Sequence, residues 1–381
     1  MDELKTFEKI NEPLSPRARK IFFGVFLLVL LGGYMLYRTL VTFDAFEVSS
    51  SFERKDAEQT HYADFMDNLL AYGRDGAFYT DYDGNLIWNE TYEMTNPQIK
   101  ICEGKLLIYD KSGSRVFVET ATGNEGKLST NLPIIDADVA SNGNVVVLMQ
   151  NKDTGYLNLY NSEGATLASG ELHTKNTGYP MSVAISSSGD RLVVSLTNLT
   201  DGDVKSTVLF YDFGVAGEKK DDHIVGKFSY SNMVIPEVDF VAKDEAIAFG
   251  DSEIVVYSNA KEPKIKKELF VSKEMKSIFH NDNYFGFITA DENGQNTLSL
   301  YNMSMSRRFE KQIEEVFTKV SISKANEVML TDGENVSIYT SLGVNKFVYD
   351  FSNGIVDLIP WESYRTYIVI EKGNVERIRL K

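Results

Sequence analysis

The chain of 381 residues carries a net charge of −16 at pH 7, which argues against nucleic acid as a partner because phosphate contacts need clustered Lys and Arg. Its single cysteine, Cys102, excludes an intramolecular disulfide, so the fold must depend on packing alone. The hydrophobic fraction of 43% is sufficient for a large core, and the many Val, Ile, Thr, Tyr and Phe residues favour β-strands.

The first predicted element is a transmembrane helix over residues 21–42. The stretch Ile21–Tyr37 carries no charge, and roughly 20 residues at ~1.5 Å each span a hydrocarbon core about 30 Å thick. A cleaved signal peptide would have a shorter apolar core and a small-x-small cleavage site. A buried core helix would be apolar on one face only. The sequence therefore favours a signal anchor, and we predict that residues 21–42 contact the lipid bilayer.

The charges beside this helix predict its orientation. Arg17, Arg19 and Lys20 precede it, and positive charge stays on the cytoplasmic side of a membrane. We therefore predict a short, unstructured cytoplasmic tail (1–20) and an extracytoplasmic domain (43–381) in a single-pass protein of the cell membrane. The absence of a disulfide in so large an outer domain leans toward a bacterial cell surface.

Short alternating runs separated by Gly, Asn, Asp and Ser fill the rest of the chain, and they are typical of strands and tight turns. Only the stretch around Glu310–Thr318 shows a possible helical period. An aromatic or apolar residue recurs where a strand meets a polar turn, at steps of 35 to 51 residues. These positions are Tyr82, Phe117, Tyr160, Tyr211, Tyr257, Tyr301, Tyr339 and Ile378. A period near forty with about four strands per unit predicts the blades of a β-propeller.

A second landmark is a proline before an alternating run that we predict to be the innermost strand of a blade. Proline is tolerated at the first residue of a strand, where no ladder N–H is lost. These prolines are Pro97, Pro133, Pro180 and Pro236. Complete units are predicted to begin near Tyr62, Pro97, Pro133, Pro180, Val234, Met275 and Thr318.

The last stretch of the chain supplies three strands only, IVDLIP, TYIVIEKG and NVERIRLK. A ring with an open edge would expose unpaired backbone groups. We predict that FEVSSSFE (Phe46–Glu53), just after the membrane helix, is the missing fourth strand and closes the ring. The predicted fold is thus an all-β propeller of eight four-stranded blades behind one helix, and seven blades is the alternative.

Motifs for catalysis, metals or cofactors are missing from the sequence. The four histidines lie in different predicted units: His61, His173, His223 and His280. With no HExxH and no CxxC, we predict no metal, no cofactor and no catalytic residue. The acidic turns Thr80–Asn85 and Ala290–Asn296 match hairpin turns better than calcium loops. Cys102 is interpreted as a buried structural thiol.

Four aromatic residues are the candidate binding residues: Trp88 and Tyr92 in one unit, and Trp361 and Tyr364 in the last. Trp and Tyr are favoured as interface anchors, so they could form a partner-binding rim. Packing between neighbouring blades is the competing interpretation, and the residue types alone favour it.

Two segments resemble known propeller repeats. DYDGNLIWN (Asp81–Asn89) resembles the D-x-x-G-x-x-x-W unit of quinoprotein-like propellers and of the outer-membrane assembly lipoprotein that shares their fold. SSSGDRLVVS (Ser186–Ser195) resembles the hairpin of WD-like propellers. Over its whole length the chain resembles an uncharacterised family of single-pass, membrane-anchored propeller proteins from Gram-positive anaerobes. That likeness rests on NLIWNETYEMTNP, GYPMSVAISSSGDRLVVS, VLFYDFG and Ile235–Phe240. It implies the topology and the propeller, and no activity.

These patterns favour a non-enzymatic binding or scaffolding module at the cell surface, with an envelope protein or a wall polymer as its partner. Fold alone assigns no chemistry. The alternative is a surface enzyme, a glycan hydrolase or lyase, with a site in the central funnel. Polar residues that converge on the propeller axis would favour that alternative.

Overall fold

The computed structural model describes residues 15–54, 59–200, 202–241, 245–258, 262–314 and 316–381. Within these ranges the chain forms one long helix followed by 32 strands in eight antiparallel, four-stranded sheets. The prediction of an eight-bladed β-propeller behind one helix is confirmed, and the seven-bladed alternative is wrong.

The helix α1 (Pro16–Leu40) begins earlier than the apolar stretch. Ser15 caps its first turn, because the Ser15 Oγ accepts a hydrogen bond of 3.2 Å from the Ala18 N–H. Pro16 suits the first helical position, whose N–H has no partner in a helix. The segment Pro16–Lys20 is therefore helical, although it was predicted to be unstructured, and residues 1–14 of that tail lie outside the described residues. Among the described residues α1 is long and apolar enough to cross a membrane.

The first four blades are each built from four consecutive strands. Blade 1 contains β2 (His61–Phe65), β3 (Asn68–Gly73), β4 (Gly76–Thr80) and β5 (Leu86–Thr91). Blade 2 contains β6 (Pro97–Cys102), β7 (Lys105–Asp110), β8 (Arg115–Thr120) and β9 (Gly123–Ser129). Blade 3 contains β10 (Ile134–Val139), β11 (Val145–Asn151), β12 (Thr154–Tyr160) and β13 (Thr166–His173). Blade 4 contains β14 (Tyr179–Ile185), β15 (Arg191–Thr200), β16 (Asp203–Asp212) and β17 (Ile224–Ser231).

The next three blades repeat this order, and the eighth joins the two ends of the domain. Blade 5 contains β18 (Glu237–Val241), β19 (Glu245–Phe249), β20 (Glu253–Ser258) and β21 (Lys264–Phe270). Blade 6 contains β22 (Met275–His280), β23 (Tyr284–Ala290), β24 (Asn296–Asn302) and β25 (Arg307–Ile313). Blade 7 contains β26 (Lys319–Ile322), β27 (Val328–Thr331), β28 (Asn335–Tyr339) and β29 (Asn345–Asp350). Blade 8 contains β30 (Ile355–Pro360), β31 (Thr366–Glu371), β32 (Asn374–Leu380) and β1 (Phe46–Glu53).

Two short segments differ from the prediction. The prediction of a possible helix around Glu310–Thr318 is wrong for the described residues of that stretch, because β25 continues to Ile313 as the outermost strand of blade 6; residue 315 lies outside the described residues. Its polar residues have a helical spacing only because this strand is exposed on both faces. A single helical turn, α2 (Thr174–Thr177), links blades 3 and 4 and was not predicted.

The turns between strands follow from local side-chain chemistry. Between β4 and β5, the Asp81 carboxylate accepts backbone hydrogen bonds of 3.0 Å from Asp83 and 2.8 Å from Asn85. Between β23 and β24, Asp291 accepts one of 2.8 Å from Gln295. An acidic side chain that bonds the backbone two to four residues ahead is a local substitute for a backbone turn. Both acidic segments are therefore hairpin turns, as predicted.

The first strand of each blade lies innermost, where β10, β14 and β18 contact one another side by side. The prolines mark these strands as predicted: β6 begins at Pro97, β10 follows Pro133, β14 contains Pro180, and β18 follows Pro236. The apolar core lies between blades, with each cluster shared by neighbours. For example, Ile247 of blade 5 packs in one cluster with Phe285 of blade 6.

The ring is closed by the predicted strand. β1 pairs antiparallel with β32 from Phe46 opposite Leu380 to Glu53 opposite Asn374. Phe46 also reaches blade 7, where its ring centroid lies 4.8 Å from that of Tyr349. The strand that follows the helix is thus both the end of the tether and a structural part of the last blade.

We expect Phe46→Ala to lower the free energy of unfolding by about 2 kcal/mol, because a partly buried aromatic side chain leaves a cavity at the closing strand. Val48→Ala on the same strand is the matched control: Val48 is 48% exposed, so its truncation should cost less than about 0.5 kcal/mol. The measurement is urea unfolding of the full-length protein in detergent micelles, followed by tryptophan fluorescence. Equal losses for the two variants would contradict a stabilising role of the Phe46 contact.

Candidate functional site

The connection to α1 distinguishes the two faces of the ring. β1 begins beside the end of β32, at Leu380, and ends beside its start, at Asn374. The helix therefore joins the face that carries the turns between the first and second and between the third and fourth strands of each blade. We call this the tether face; it includes the turn at residues 361–365. The opposite face, which includes the connection at residues 271–274, is called the free face.

The end of α1 is held against blades 7 and 8. The Phe43 N–H donates a hydrogen bond of 2.8 Å to the Lys346 carbonyl. The Arg38 guanidinium lies 4.8 Å from the ring centroid of Tyr364, and Arg365 donates a hydrogen bond of 3.3 Å to the Tyr37 hydroxyl. Because only residues 41–45 separate α1 from β1, this junction sets the tether face close to the end of the helix.

A buried ion pair lies beneath this junction. The Lys346 side chain is fully buried, and its ammonium contacts the carboxylate of Glu327 and the carbonyl of Tyr364. The Tyr367 hydroxyl accepts a hydrogen bond of 2.7 Å from Lys346 and donates one of 2.6 Å to Glu327. Burial lowers the pKa of Lys346, although the charge of Glu327 opposes this. The network ties blade 7 to blade 8, and a buried charge without such partners would be costly.

Trp88 and Tyr92, two of the predicted binding residues, share one apolar cluster between blades 1 and 2. The Trp88 indole stacks on Tyr79 at 5.1 Å and donates a hydrogen bond of 3.1 Å to the Thr120 carbonyl. Tyr92 is only 5% exposed and lies against Phe117. These contacts are those of blade packing, which the sequence offered as the competing interpretation.

Trp361 and Tyr364, the other two, lie on the tether face in the turn between β30 and β31. The Arg377 guanidinium lies 4.0 Å from the Trp361 ring centroid. Both aromatic residues line a cleft of about 470 Å³, together with Arg38 at the end of the helix and Asp64 of blade 1. The structure thus brings these two together, separate from the Trp88 and Tyr92 cluster, on the side where the helix joins.

Charged side chains of the innermost strands, which the sequence analysis did not single out, converge near the propeller axis. They come from β6, β10, β18 and β22, and we call them the axial cluster: Lys100, Asp136, Asp138, Glu237, Asp239 and His280. Period-2 alternation places Asp136 and Asp138 on one side of β10. Charged residues inside strands predicted to be innermost were the available signal in the sequence.

The aspartates of the axial cluster tie neighbouring inner strands together. Asp136 accepts hydrogen bonds of 2.9 Å from the Tyr109 hydroxyl, 2.8 Å from the Ser182 hydroxyl and 3.0 Å from the Val183 N–H. Asp138 accepts one of 2.9 Å from the Ile185 N–H. Burial raises the pKa of Asp138, although the charge of Lys100 opposes this. Blades 3 and 4 are therefore linked at the axis by carboxylates.

A histidine makes the corresponding link between blades 5 and 6. The His280 Nε2 lies 3.4 Å from a Glu237 oxygen and 3.6 Å from an Asp239 oxygen. Burial disfavours the charged imidazole, and Lys100 repels it, but the hydrogen bond to Glu237 and the charge of Asp239 outweigh both. The pKa of His280 is therefore raised, and His280 in turn lowers the pKa of Glu237.

The ammonium of Lys100 balances part of this negative charge. Burial disfavours its charge, but Asp239, Asp138 and Asp136 raise the pKa of Lys100 above its ordinary value. In the described part of the chain, no group of His, Cys, Asp and Glu side chains has the arrangement of a metal site. The axial cluster is thus an electrostatic network that holds inner strands together.

A model of a family of unknown function, DUF5711, matches residues 39–380. The chain belongs to the DUF5711 family. A search of curated protein sequences finds no match for this DUF5711 protein.

Two solved structures share the fold of this DUF5711 protein. BamB from Moraxella catarrhalis is 14% identical with a TM-score of 0.51, over 88% of this chain and 100% of that chain. A eukaryotic initiation factor is 10% identical with a TM-score of 0.52, over 88% of this chain and 87% of that chain. Identities this low show the propeller fold alone.

We expect the link from His280 to blade 5 to depend on pH. A raised pKa in the folded state means that the stabilisation is complete below the unfolded pKa of about 6.5 and is lost as pH rises through the folded pKa. We therefore expect His280→Asn to lower the free energy of unfolding by more at pH 5.5 than at pH 8. The measurement is urea unfolding of both proteins in micelles.

The control for this effect removes the partners of the imidazole. In a Glu237→Gln/Asp239→Asn background, His280→Asn should cost no more at pH 5.5 than at pH 8, since burial and Lys100 then disfavour the protonated ring. A cost of His280→Asn that grows from pH 5.5 to pH 8 in the otherwise unmodified protein would contradict the assigned pairing.

Proposed function

We propose that this DUF5711 protein is a single-pass membrane protein whose extracytoplasmic propeller binds or scaffolds other components of the cell envelope, without catalysing a reaction. The observation that carries the proposal is the closure of the ring by β1, directly after the apolar helix. A helix that crosses the bilayer would then hold a rigid ring at the membrane surface, with its free face turned away.

The orientation of the proposal rests on charge. Arg17, Arg19 and Lys20 lie at the start of α1, whereas Asp44 and Glu47 follow its end. The positive-inside tendency therefore supports a cytoplasmic tail over residues 1–20, a membrane segment over residues 21–42 and a domain outside over residues 43–381.

A binding role agrees with the architecture of the ring. Propellers present many loops on a rigid frame, and binding residues concentrate in such loops. The partner in this proposal is an envelope protein or a wall polymer that meets the free face or the outer rim. Trp88, Tyr92, Trp361 and Tyr364 have packing partners, so we do not place the main contact on them alone.

An enzyme with a site in the central funnel is the second candidate, and the convergence of the axial cluster favours it. Asp136 and Asp138 argue against catalysis, because both are nearly buried and both accept hydrogen bonds from the next inner strand. A catalytic acid or base must reach its substrate. Among the described carboxylates of the axial cluster, that of Glu237 is the most accessible, at 45% exposed against 24% for Asp239. Turnover of wall glycan fragments by the purified protein that Glu237→Gln abolishes would replace the binding role with the enzymatic one.

The topology is tested by labelling single cysteines in intact cells with a membrane-impermeant maleimide. Because Cys102 is the one cysteine of the chain, Cys102→Ser gives a background without thiols. Asn293→Cys, in an exposed turn of the free face, should be labelled without permeabilisation. Ser15→Cys, at the start of α1, should be labelled only after the membrane is opened. The reverse pattern would contradict the orientation.

The binding role is tested by chemical crosslinking of the tagged full-length protein in intact cells. We expect the same envelope components to be recovered in replicate experiments, and α1 alone, fused to an unrelated outer domain, serves as the control. Recovery of identical components by that control, or of none by the full chain, would contradict a binding function of the propeller.

A further inference from the structure

The outer rim of blades 5 and 6 has a charge opposite to that of the chain as a whole. The net charge of the protein is −16. The segments 264–276 and 307–314 nevertheless carry eight cationic and four acidic residues. They contain the outermost strands of the two blades and the connection between them. A positive region on an acidic protein attracts acidic partners that the remaining surface repels.

Between these blades lies a cleft of about 420 Å³, a size typical of small binding sites. At its mouth on the free face, Phe270 ends β21 with 74% of its surface exposed. The aromatic rings of Phe287 and Tyr301 line the interior. Phe270 is therefore an apolar group that a ligand bound in the cleft could cover.

The floor of this cleft is polar, although neighbouring blades elsewhere pack apolar faces together. Thr289, Thr297 and Ser299 line it. Thr289 is 4% and Ser299 is 2% exposed. None of the three hydroxyls has a hydrogen-bond partner among the described residues, and none is sealed from the cleft. Buried hydroxyls are normally hydrogen-bonded, so these groups are available to a ligand with donors and acceptors of its own.

Two lysines beside the cleft are available for an anionic ligand. Lys273 lines the cleft, and Lys267 lies on the same side of β21 as Leu269, which also lines it. Among the described residues, neither ammonium has a carboxylate within 4.0 Å, in contrast to Lys266 and Lys276. The acidic residue in the lining, Glu310, is paired with Arg307 at 2.9 Å. An incoming carboxylate would therefore meet two lysines without a described acidic partner, and an acid that already faces a cation.

We propose that the cleft between blades 5 and 6 binds an extended, acidic segment of a partner protein, with one aromatic or aliphatic side chain packed against Phe270. The backbone of such a segment supplies hydrogen-bond partners for the three hydroxyls of the floor. Its Asp or Glu side chains pair with Lys267 and Lys273. The inference rests on the proposed binding function and specifies one class of partner and one place on the rim.

The test begins with the full-length protein in detergent micelles and a phage-displayed library of random twelve-residue peptides. Selection is carried out against the unmodified protein, with prior depletion on Lys267→Glu/Lys273→Glu. The expected enriched sequences have several Asp or Glu residues around one aromatic or aliphatic residue. Enrichment without acidic residues, or no enrichment, would overturn the proposal.

Affinities of the best peptide then locate the site. Phe270→Ser and Lys267→Glu/Lys273→Glu should each raise its Kd at least tenfold. Two matched controls should change it less than twofold: Phe78→Ser, an aromatic residue 49% exposed on blade 1, and Lys219→Glu/Lys227→Glu, two exposed lysines of blade 4. An equal loss in the controls would show unspecific attraction and overturn the assignment. If polyphosphate binds more tightly than the peptide and its Kd is unchanged by Phe270→Ser, the result would favour a polyanionic polymer instead.

Crosslinking in intact cells separates this inference from the proposed function. If the Phe270→Ser and double-lysine variants lose a protein partner that the unmodified chain recovers, the cleft is its site. If both variants retain every partner, the cleft proposal fails and the binding function remains. If the unmodified chain recovers no partner, the binding function fails as well.

Discussion

The antiparallel pairing of β1 with β32 is the constraint on which the rest of the structure depends. The eight sheets pack on one another around the axis, and the ring closes only if the last blade is tied to the start of the domain. Here the joint lies within one blade, because β1 from the start of the domain completes a sheet of three strands from its end. The strand that pairs with the backbone of β32 is also the strand that follows α1. The same segment therefore connects the helix to the domain and closes the ring.

This closure determines which surfaces remain available. Since β1 enters the ring on the tether face, the end of α1 contacts Tyr364 and Arg365, and the cleft lined by Trp361 lies beside it. In the proposed topology, a partner outside the membrane would meet the free face and the outer rim instead. The two lysines of the cleft and the exposed Phe270 lie on that rim, at the end of β21 that reaches the free face.

Much of the fold could be predicted because its signals are local. The Asp81 and Asp291 carboxylates accept hydrogen bonds from backbone N–H groups four residues ahead, so these residues predict hairpin turns. Prolines such as Pro97 mark the start of inner strands. The closing strand followed from counting strands and needed no knowledge of distant contacts. The site was harder to predict, because convergence depends on the ring: Lys100 and Asp239 are far apart in sequence and become neighbours only when inner strands of different blades surround one axis.

The aromatic residues show a second limit. Trp88 in a blade junction and Phe270 at an open cleft are both aromatic residues of outermost strands, yet one is packed and the other is exposed. Sequence alone could not separate them, because the difference lies in what the neighbouring blade presents. Blade 2 offers Trp88 a carbonyl acceptor at Thr120, whereas blade 6 offers Phe270 a floor of hydroxyls. Whether an aromatic residue of one blade is packed or exposed therefore cannot be inferred without knowing which residues the neighbouring blade places against it.

The same long-range pairing has a consequence for folding. The Ser49 hydroxyl donates to the carbonyl of Arg377 across 328 positions of the chain. The entropy lost in closing a loop grows only as the logarithm of its length, at about 0.6 kcal/mol per doubling, so such a contact is affordable once the ends meet. Contacts at this separation nevertheless form slowly. Each of the other blades can pair its four consecutive strands locally, and stacking them brings β30–β32 toward β1. We therefore expect the pairing of β1 with β32 to be the last step of folding.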